Sequence, residues 1–407
     1  MAEIDVLKIY LNDYLVGTLN LLASDRSIFI FDENYLNDKN RPVLSLSFKD
    51  KFGKIITSQP IIQTKIPPFF SNLLPEGHLR TYLANLAGVK DKREFFLLKA
   101  LGEDLSGAVI AKPIENNPYL DETLINEQKA EENQNILKFS LAGVQLKFSA
   151  LLEASGGLTI PAHGVGGSWI VKLPSASFEN VPENEFSMMM LAKKIGIDIP
   201  EIKLIDIKSI SNLPEGIGSI KGKALAVKRF DRDDNQRVHI EDFAQIFGLF
   251  PEEKYGKGSY KNIAEVIWAE IGEDGITEFV KRLVFNALIG NADMHMKNWS
   301  LIYKDGRTAN LAPAYDLVST IAYIPDNNMS LNLVKSKRFD ELTLDAFKHF
   351  AGKAKLPEKM VIKTVTETVE AFNDLWKEAI KDLPLAKSTI ETIEKHMQTL
   401  PIANHRN

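Results

Sequence analysis

Apolar and polar positions change their spacing several times along the chain. In the first fifty residues they alternate. Val6 to Leu11 and Leu15 to Leu21 read as strands joined by a turn at Asn12-Asp13, and Ser27 to Phe31 and Val43 to Phe48 read as two more. From Pro67 the spacing lengthens to that of helices, expected over His78 to Leu86 and Lys92 to Leu101, and L-G-E-D-L-S-G closes the block. Glu115 to Asn135 is polar and holds several acids against one lysine, which predicts a solvated linker. Alternation returns in K-F-S-L-A-G-V-Q-L-K-F-S-A-L-L, Lys138 to Leu152, which turns at Gly143. A further strand, Trp169 to Leu173, places Lys172 at its end. E-N-E-F-S-M-M-M-L-A-K-K-I-G then predicts a helix with Asn184 as N-cap, Phe186, Met189, Met190 and Ala192 on its apolar face, and Gly196 at its end. Ile202 to Ile207 and Ala224 to Val227 are expected strands. Beyond His239 the pattern is mostly helical, interrupted at Gly256 and Gly258. Ile276, Phe279, Val280, Leu283, Val284, Ala287 and Leu288 form one stripe, stopped by Gly290. Val361, Val365, Val369, Phe372, Trp376 and Ile380 form another on a long helix.

These elements predict an α+β chain of several units: residues 1–113, a linker over 114–135, a strand-rich lobe over 136–235 and a helical lobe over 236–407. At 407 residues and 44% apolar composition, the chain can bury more than one core. It has no cysteine, which excludes disulfides and thiolate metal sites, and its scattered histidines give zinc chemistry no support. The opening M-A-E-I-D-V-L-K-I-Y lacks the layout of a signal peptide, and no apolar run approaches the ~18 residues of a membrane span. A cytoplasmic protein with no membrane partner is expected. A formal net charge of −5 argues against strong nucleic-acid binding through overall charge.

The densest chemistry lies in I-G-N-A-D-M-H-M-K-N-W-S, Ile289 to Ser300, with A-Y-D-L following. Asp293 precedes Asn298 by five residues, and Asp316 comes next. An acid that orients a hydroxyl, with an amide oxygen and a second acid that hold Mg²⁺, is what phosphoryl transfer requires. A polar turn after a helix would show the same Asp-x4-Asn spacing, but here a buried helix presents it. The Lys172 ammonium could pair with nucleotide phosphates, although most strand-end lysines are simply solvated. Glu185 could be the acid that pairs with Lys172, or a carboxylate favoured near a helix N-terminus. Main-chain groups at Lys228 to Phe230 could meet an adenine edge, with Phe230 packed on its face.

F-F-S-N-L-L-P-E-G (Phe69 to Gly77), D-L-S-G-A-V (Asp104 to Val109), S-L-A-G-V-Q-L-K (Ser140 to Lys147) and I-V-K-L-P (Ile170 to Pro174) stand in that order along the chain. N-E-F (Asn184 to Phe186), V-K-R-F-D-R (Val227 to Arg232), G-N-A-D-M-H-M-K-N (Gly290 to Asn298) and A-Y-D-L (Ala314 to Leu317) complete the series. In this set the chain resembles the HipA family of serine/threonine kinases, toxins of type II toxin–antitoxin pairs, over nearly its whole length.

The resemblance implies a bilobal, protein-kinase-like fold with a family-specific N-terminal domain, and an activity dependent on ATP and Mg²⁺. Asp293 would be the catalytic acid, with Lys297 neutralising charge on the transferred phosphate or else simply solvated. Asn298 and Asp316 would hold the metal and Lys172 the α/β-phosphates. The main chain of Lys228 and Phe230 would take adenine. Gly143, Gln145, Lys147, His295 and Tyr315 would line the nucleotide site, although a hydrogen-bonded structural role suits His295 as well. Ser140 matches the family's autophosphorylated serine, whose modification silences the kinase; read alone, it is an ordinary strand-end hydroxyl. The implied partners are a helix-turn-helix antitoxin resembling HipB, DNA mainly through that antitoxin, and a protein substrate such as an aminoacyl-tRNA synthetase.

Two features depart from eukaryotic-type kinases. Asn291-Ala292 replace their His-Arg before the aspartate, and Asp316 lies in A-Y-D-L rather than D-F-G. Two other readings remain: a small-molecule or lipid-headgroup kinase, and a non-catalytic co-repressor bound to a DNA-binding antitoxin.

Overall fold

The computed structural model describes residues 5–114, 147–152, 158–159, 167–175, 177–213, 221–233 and 236–404. Ser140, Gly143, Gln145 and the expected linker beyond Ile114 lie outside the described residues.

β1 (Asp5–Leu11) and β2 (Tyr14–Leu22) form the expected hairpin, and Asn12 turns it at a φ of 51°, a conformation asparagine tolerates better than most residues. With β3 (Arg26–Phe31), β4 (Ile62–Gln63) and β5 (Val109–Pro113) they make an antiparallel sheet in the order β4-β3-β2-β1-β5. Leu7, Ile9, Val16, Leu19 and Phe29 point from it into a core closed by Phe70, Leu97 and Leu98. The helices of this block are α1 (Glu33–Asn37), α2 (Pro68–Ser71), α3 (Gly77–Leu86) and α4 (Glu94–Leu101).

Val43 to Phe48 is not a strand. Leu46–Phe48 is a 3-10 turn capped by Ser45, and the segment bonds away from the first sheet. The Val43 N–H donates to the Gly306 carbonyl at 2.8 Å, and the Leu46 N–H to Glu241 Oε1 at 3.1 Å. Alternation alone could not distinguish a strand from an extended clasp between domains.

The second sheet holds β6 (Lys147–Leu152), β7 (Leu158–Thr159), β8 (Trp169–Lys172), β9 (Ile202–Asp206), β10 (Ile210–Ser211) and β11 (Lys223–Lys228), in the order β10-β7-β6-β8-β11-β9. β8 lies between β6 and β11, so Lys172 sits on an interior strand. α5 (Val181–Lys194) packs on β11 and β9. It begins earlier than the sequence suggests: Asn180 occupies the N-cap at φ 57°, Pro182 lies in the first turn, and Asn184 is buried inside the helix. Its buried face carries Met188, Met189, Leu191 and Ala192, while Phe186 and Met190 are half-buried.

The C-terminal part is built on α6 (Phe243–Ile246), α7 (Tyr260–Glu270), α8 (Glu273–Leu288), α9 (Leu344–Lys353), α10 (Glu358–Asp382) and α11 (Lys387–Thr399). α8 buries every residue of its predicted stripe, and α10 packs against it through Val361, Val365, Val369, Phe372 and Trp376. This region also contains strands that the helical reading passed over: β12 (His239–Asp242), β13 (Ser300–Tyr303) and β14 (Asn310–Leu311), in that order. All four residues of β13 are buried, so no alternation betrays it. The architecture is α+β, and no helix among the described residues is long and apolar enough to cross a membrane.

Candidate active site

The end of α8 fixes the start of the loop. Gly290 turns the chain at φ 65°, and a Cβ there would lie 2.2 Å from the Ile321 side chain, so glycine is required twice over. Buried amides then set the geometry. Asn291 Nδ2 donates to Asn286 Oδ1 at 2.7 Å and to the Asp316 carbonyl at 3.2 Å, while its Oδ1 accepts the Asp293 N–H at 3.0 Å. One side chain thus spans the segments that carry both acids. Across the loop, Asn298 Nδ2 donates to the Asp293 carbonyl at 2.7 Å, leaving its own amide oxygen as the group to offer a cation.

The Asp293 side chain is exposed, and its Oδ1 accepts the Tyr255 hydroxyl at 2.8 Å. His295 packs edge-on against Tyr255, with centroids 4.9 Å apart. Its ring is buried and its Nδ1 has no hydrogen-bond partner. Burial lowers its pKa despite the nearby Asp293 carboxylate, which favours the neutral imidazole.

Asp316 adopts φ 55°, uncommon for a residue with a side chain. Its Oδ1 pairs with Lys172 Nζ, which also pairs with Glu185; its Oδ2 lies 3.6 Å from Lys147 Nζ. Lys172 and Glu185 are buried, at 5% and 3% exposure, so neither charge is compensated by water. Burial alone would depress the Lys172 ammonium, but Asp316 and Glu185 outweigh it and hold the pKa above its usual value. Burial would raise Asp316, yet Lys147 and Lys172 keep it far below the ordinary carboxylate range. Burial pushes Glu185 up against the pull of Lys172. Lys147, Lys172, Glu185 and Asp316 together place two positive and two negative charges in one cluster. Asn184, one residue before Glu185, locks α5 to the segment after Asp316. Its amide donates to the Ser319 carbonyl and the Tyr323 hydroxyl, each at 3.1 Å, and accepts the Ser319 N–H at 3.1 Å.

Other expected site residues lie elsewhere or are engaged. The Lys228 N–H donates to the Glu201 carbonyl at 2.8 Å and so does not face a ligand. Phe230 stacks on Tyr315, with centroids 5.8 Å apart and planes inclined by 30°. The Tyr315 hydroxyl donates to the Lys297 carbonyl at 2.8 Å. Lys297 Nζ is held by the N-terminal block: the Asn72 carbonyl at 2.9 Å, Asn72 Oδ1 at 3.0 Å and Glu76 Oε1 at 3.5 Å, with Asp242 Oδ2 at 3.1 Å. The roles of Asn286, Asn291, Tyr255 and Glu76 escaped the sequence reading, although Asn291 and the motif holding Glu76 were noted there. Asn291 looks like a turn residue and Asn286 like an ordinary polar position of a helix until their tertiary partners are known. Tyr255 stands 38 residues from Asp293, with no motif to link them.

Among the described residues no group of three or more His, Asp or Glu could hold a metal ion. Asp316 and Asn298 offer hard oxygen donors, a set that fits Mg²⁺ completed by water and nucleotide phosphates.

Comparison with known proteins adds an independent line. Residues 139–376 match the family model for the HipA-like C-terminal domain, and residues 7–112 match that for the HipA N-terminal domain. The Sinorhizobium fredii protein named "Putative kinase Y4dM" is 52% identical, over 99% of this chain and 98% of that protein. The serine/threonine-protein kinase toxin HipA of Shewanella oneidensis is 26% identical, over 99% of this chain and 95% of the toxin. The solved complex of Shewanella oneidensis HipA, HipB and operator DNA contains a chain that superposes with a TM-score of 0.73 at 22% identity, covering 98% of this chain and 96% of that one.

Proposed function

The chain belongs to the HipA family of kinases, and from that premise we propose that it is an ATP- and Mg²⁺-dependent serine/threonine protein kinase, the toxin of a toxin–antitoxin pair. The observation that carries the reading is the contact of Lys172 with Glu185 and Asp316, next to a loop that ties Asp293 to Asn298. Phosphoryl transfer asks a protein for positioning and charge neutralisation rather than covalent chemistry. Lys172 is anchored by Glu185 to pair with α/β-phosphate oxygens. Asp293 orients the acceptor hydroxyl and receives its proton. Asp316 and Asn298 hold Mg²⁺, whose charge offsets that of the phosphates when bound. Lys147 approaches the same acid and can add a further positive charge at the phosphates. The aromatic pair Phe230 and Tyr315 suits the base side of the cleft.

We assign a helix-turn-helix antitoxin as partner, DNA contact chiefly through it, and an aminoacyl-tRNA synthetase as the target class. Phosphate incorporated into the chain itself is expected at Ser140. A second phosphate-sized charge near the nucleotide would be repelled and would silence the kinase.

The test is calorimetric titration of the purified chain with Mg-ATP, followed by phosphoproteomics of cells expressing the chain or its Asp293→Ala variant. Mg-ATP should bind both forms, and phosphoryl transfer should fall by about 10²-fold or more in the variant. Absence of Mg-ATP binding, or growth arrest unchanged by Asp293→Ala, overturns the kinase reading. Incorporated phosphate found only away from Ser140 overturns that assignment.

A further inference from the structure

Tyr255 has no part in the chemistry described above, yet its hydroxyl is a hydrogen-bond donor to the side chain of Asp293, at 2.8 Å. A general base must lie about 2.6–3.2 Å from the hydroxyl it serves, with that hydroxyl donating. The Tyr255 hydroxyl meets both conditions. Its partial burial and the Asp293 carboxylate raise the phenol's pKa, so it remains an O–H donor.

The loop carrying Tyr255 is fastened beside the site but not buried in it. Lys254 Nζ pairs with Glu76 Oε2 of the N-terminal block at 2.7 Å, and the Lys254 carbonyl accepts the Met296 N–H at 3.4 Å. Gly256 and Gly258 follow, the latter at φ 87°. Tyr255 itself is 49% exposed, and its ring contacts are with His295 and the Lys254 ammonium. A side chain this exposed can leave without opening a core.

We propose that Tyr255 occupies the acceptor position of the site, as an internal competitor that the hydroxyl of an incoming substrate must displace. The inference rests on the kinase reading and concerns the acceptor side alone. Glu76 of the S-N-L-L-P-E-G segment is then a positioning residue, because it anchors the loop from which Tyr255 reaches Asp293. An internal competitor raises the apparent KM for the acceptor and leaves turnover at saturation unchanged. It also keeps water from the base, which suppresses futile ATP hydrolysis.

The experiment uses the full chain and its Tyr255→Phe, Tyr255→Ala and Asp293→Ala variants, with Mg-ATP and dephosphorylated casein as acceptor probe. ATP hydrolysis without casein is read alongside, so the result does not depend on casein being accepted. Tyr255→Phe keeps the ring and removes only the hydrogen bond. It should lower the KM for casein about fivefold, with kcat and the KM for Mg-ATP unchanged. Tyr255→Ala should in addition raise acceptor-free ATP hydrolysis several-fold. Should both variants leave the casein KM and ATP hydrolysis unaltered, or raise the KM, while Asp293→Ala still abolishes transfer, this inference fails and the kinase reading stands. Phosphate on Tyr255 of the unaltered chain also overturns it, since the tyrosine would then be a substrate. Loss of Mg-ATP binding and hydrolysis in the unaltered chain removes the kinase reading and this inference together.

Discussion

His239 and Glu241 stand two apart on β12, both enclosed, and enclosure moves them in opposite directions. Burial pushes the His239 imidazole down to about 4, although Nε2 bonds the Leu44 carbonyl at 2.8 Å. Burial pushes the Glu241 carboxyl up to about 7 against hydrogen bonds from Ser45, Tyr303 and the Leu46 N–H. The unfolded chain protonates His239 near pH 6.5, so its stabilising contribution is whole above that value and is lost as pH falls through about 4. For Glu241 the contribution is whole below about pH 4.5 and is lost as pH rises through 7. Thermal unfolding across pH should therefore show His239→Gln recovering roughly 2–3 kcal/mol of relative stability at the acid end. Glu241→Gln should flatten the neutral side. Profiles parallel to the unaltered chain would refute both assignments. Neither shift was legible in sequence, because the strand that encloses both residues was passed over there. That Asp293 and Asn298 share one loop and that Lys172 meets Asp316 could be anticipated, because order and spacing carry those expectations. The partner of Glu185 stayed open because helix register alone does not show which strand end it faces.

α5 illustrates what periodicity can and cannot settle. Its existence and its end followed from the pattern, but its start did not, because Pro182 is as acceptable inside a first turn as before one. The shift moves Asn184 from cap to latch. Its removal leaves Ser319 and Tyr323 without their partner and frees the segment after Asp316. Asn184→Ala should cost about 1–3 kcal/mol in denaturant unfolding. It should also speed hydrogen exchange over 314–323; an unchanged exchange pattern there would refute the latch. β13 was missed for the reason that makes it strong: a strand buried on both faces resembles any short apolar run.

Across the molecule, the N-terminal block is fastened to the segment Arg229 to Arg232 by charges that the sequence separates by more than a hundred residues. Asp104 of D-L-S-G and Asp231 of V-K-R-F-D-R share Arg229 and Arg232, and Asp231 also accepts the Gly107 N–H at 2.8 Å. Burial would raise the Asp231 carboxyl, but both arginines hold it low. Asp231→Ala leaves two largely buried guanidinium groups sharing Asp104 alone. It should destabilise the chain by about 3–5 kcal/mol and loosen the block before the rest unfolds. Limited proteolysis reads this as early cleavage within residues 5–114, and a single cooperative loss would count against it. Each motif was visible in the sequence, but its role as half of an interface was not, because pairing between distant segments leaves no periodic trace.

The Asn286–Asn291 pair has a wider consequence. The amides that set the start of the loop carry no charge for salt to screen and no proton to lose, so this fastening is insensitive to ionic strength and pH, unlike the ion pairs that hold Lys297 further on. No arginine precedes Asp293 to receive a docked phosphate, and the start of the loop is held by the Asn286–Asn291 amides instead.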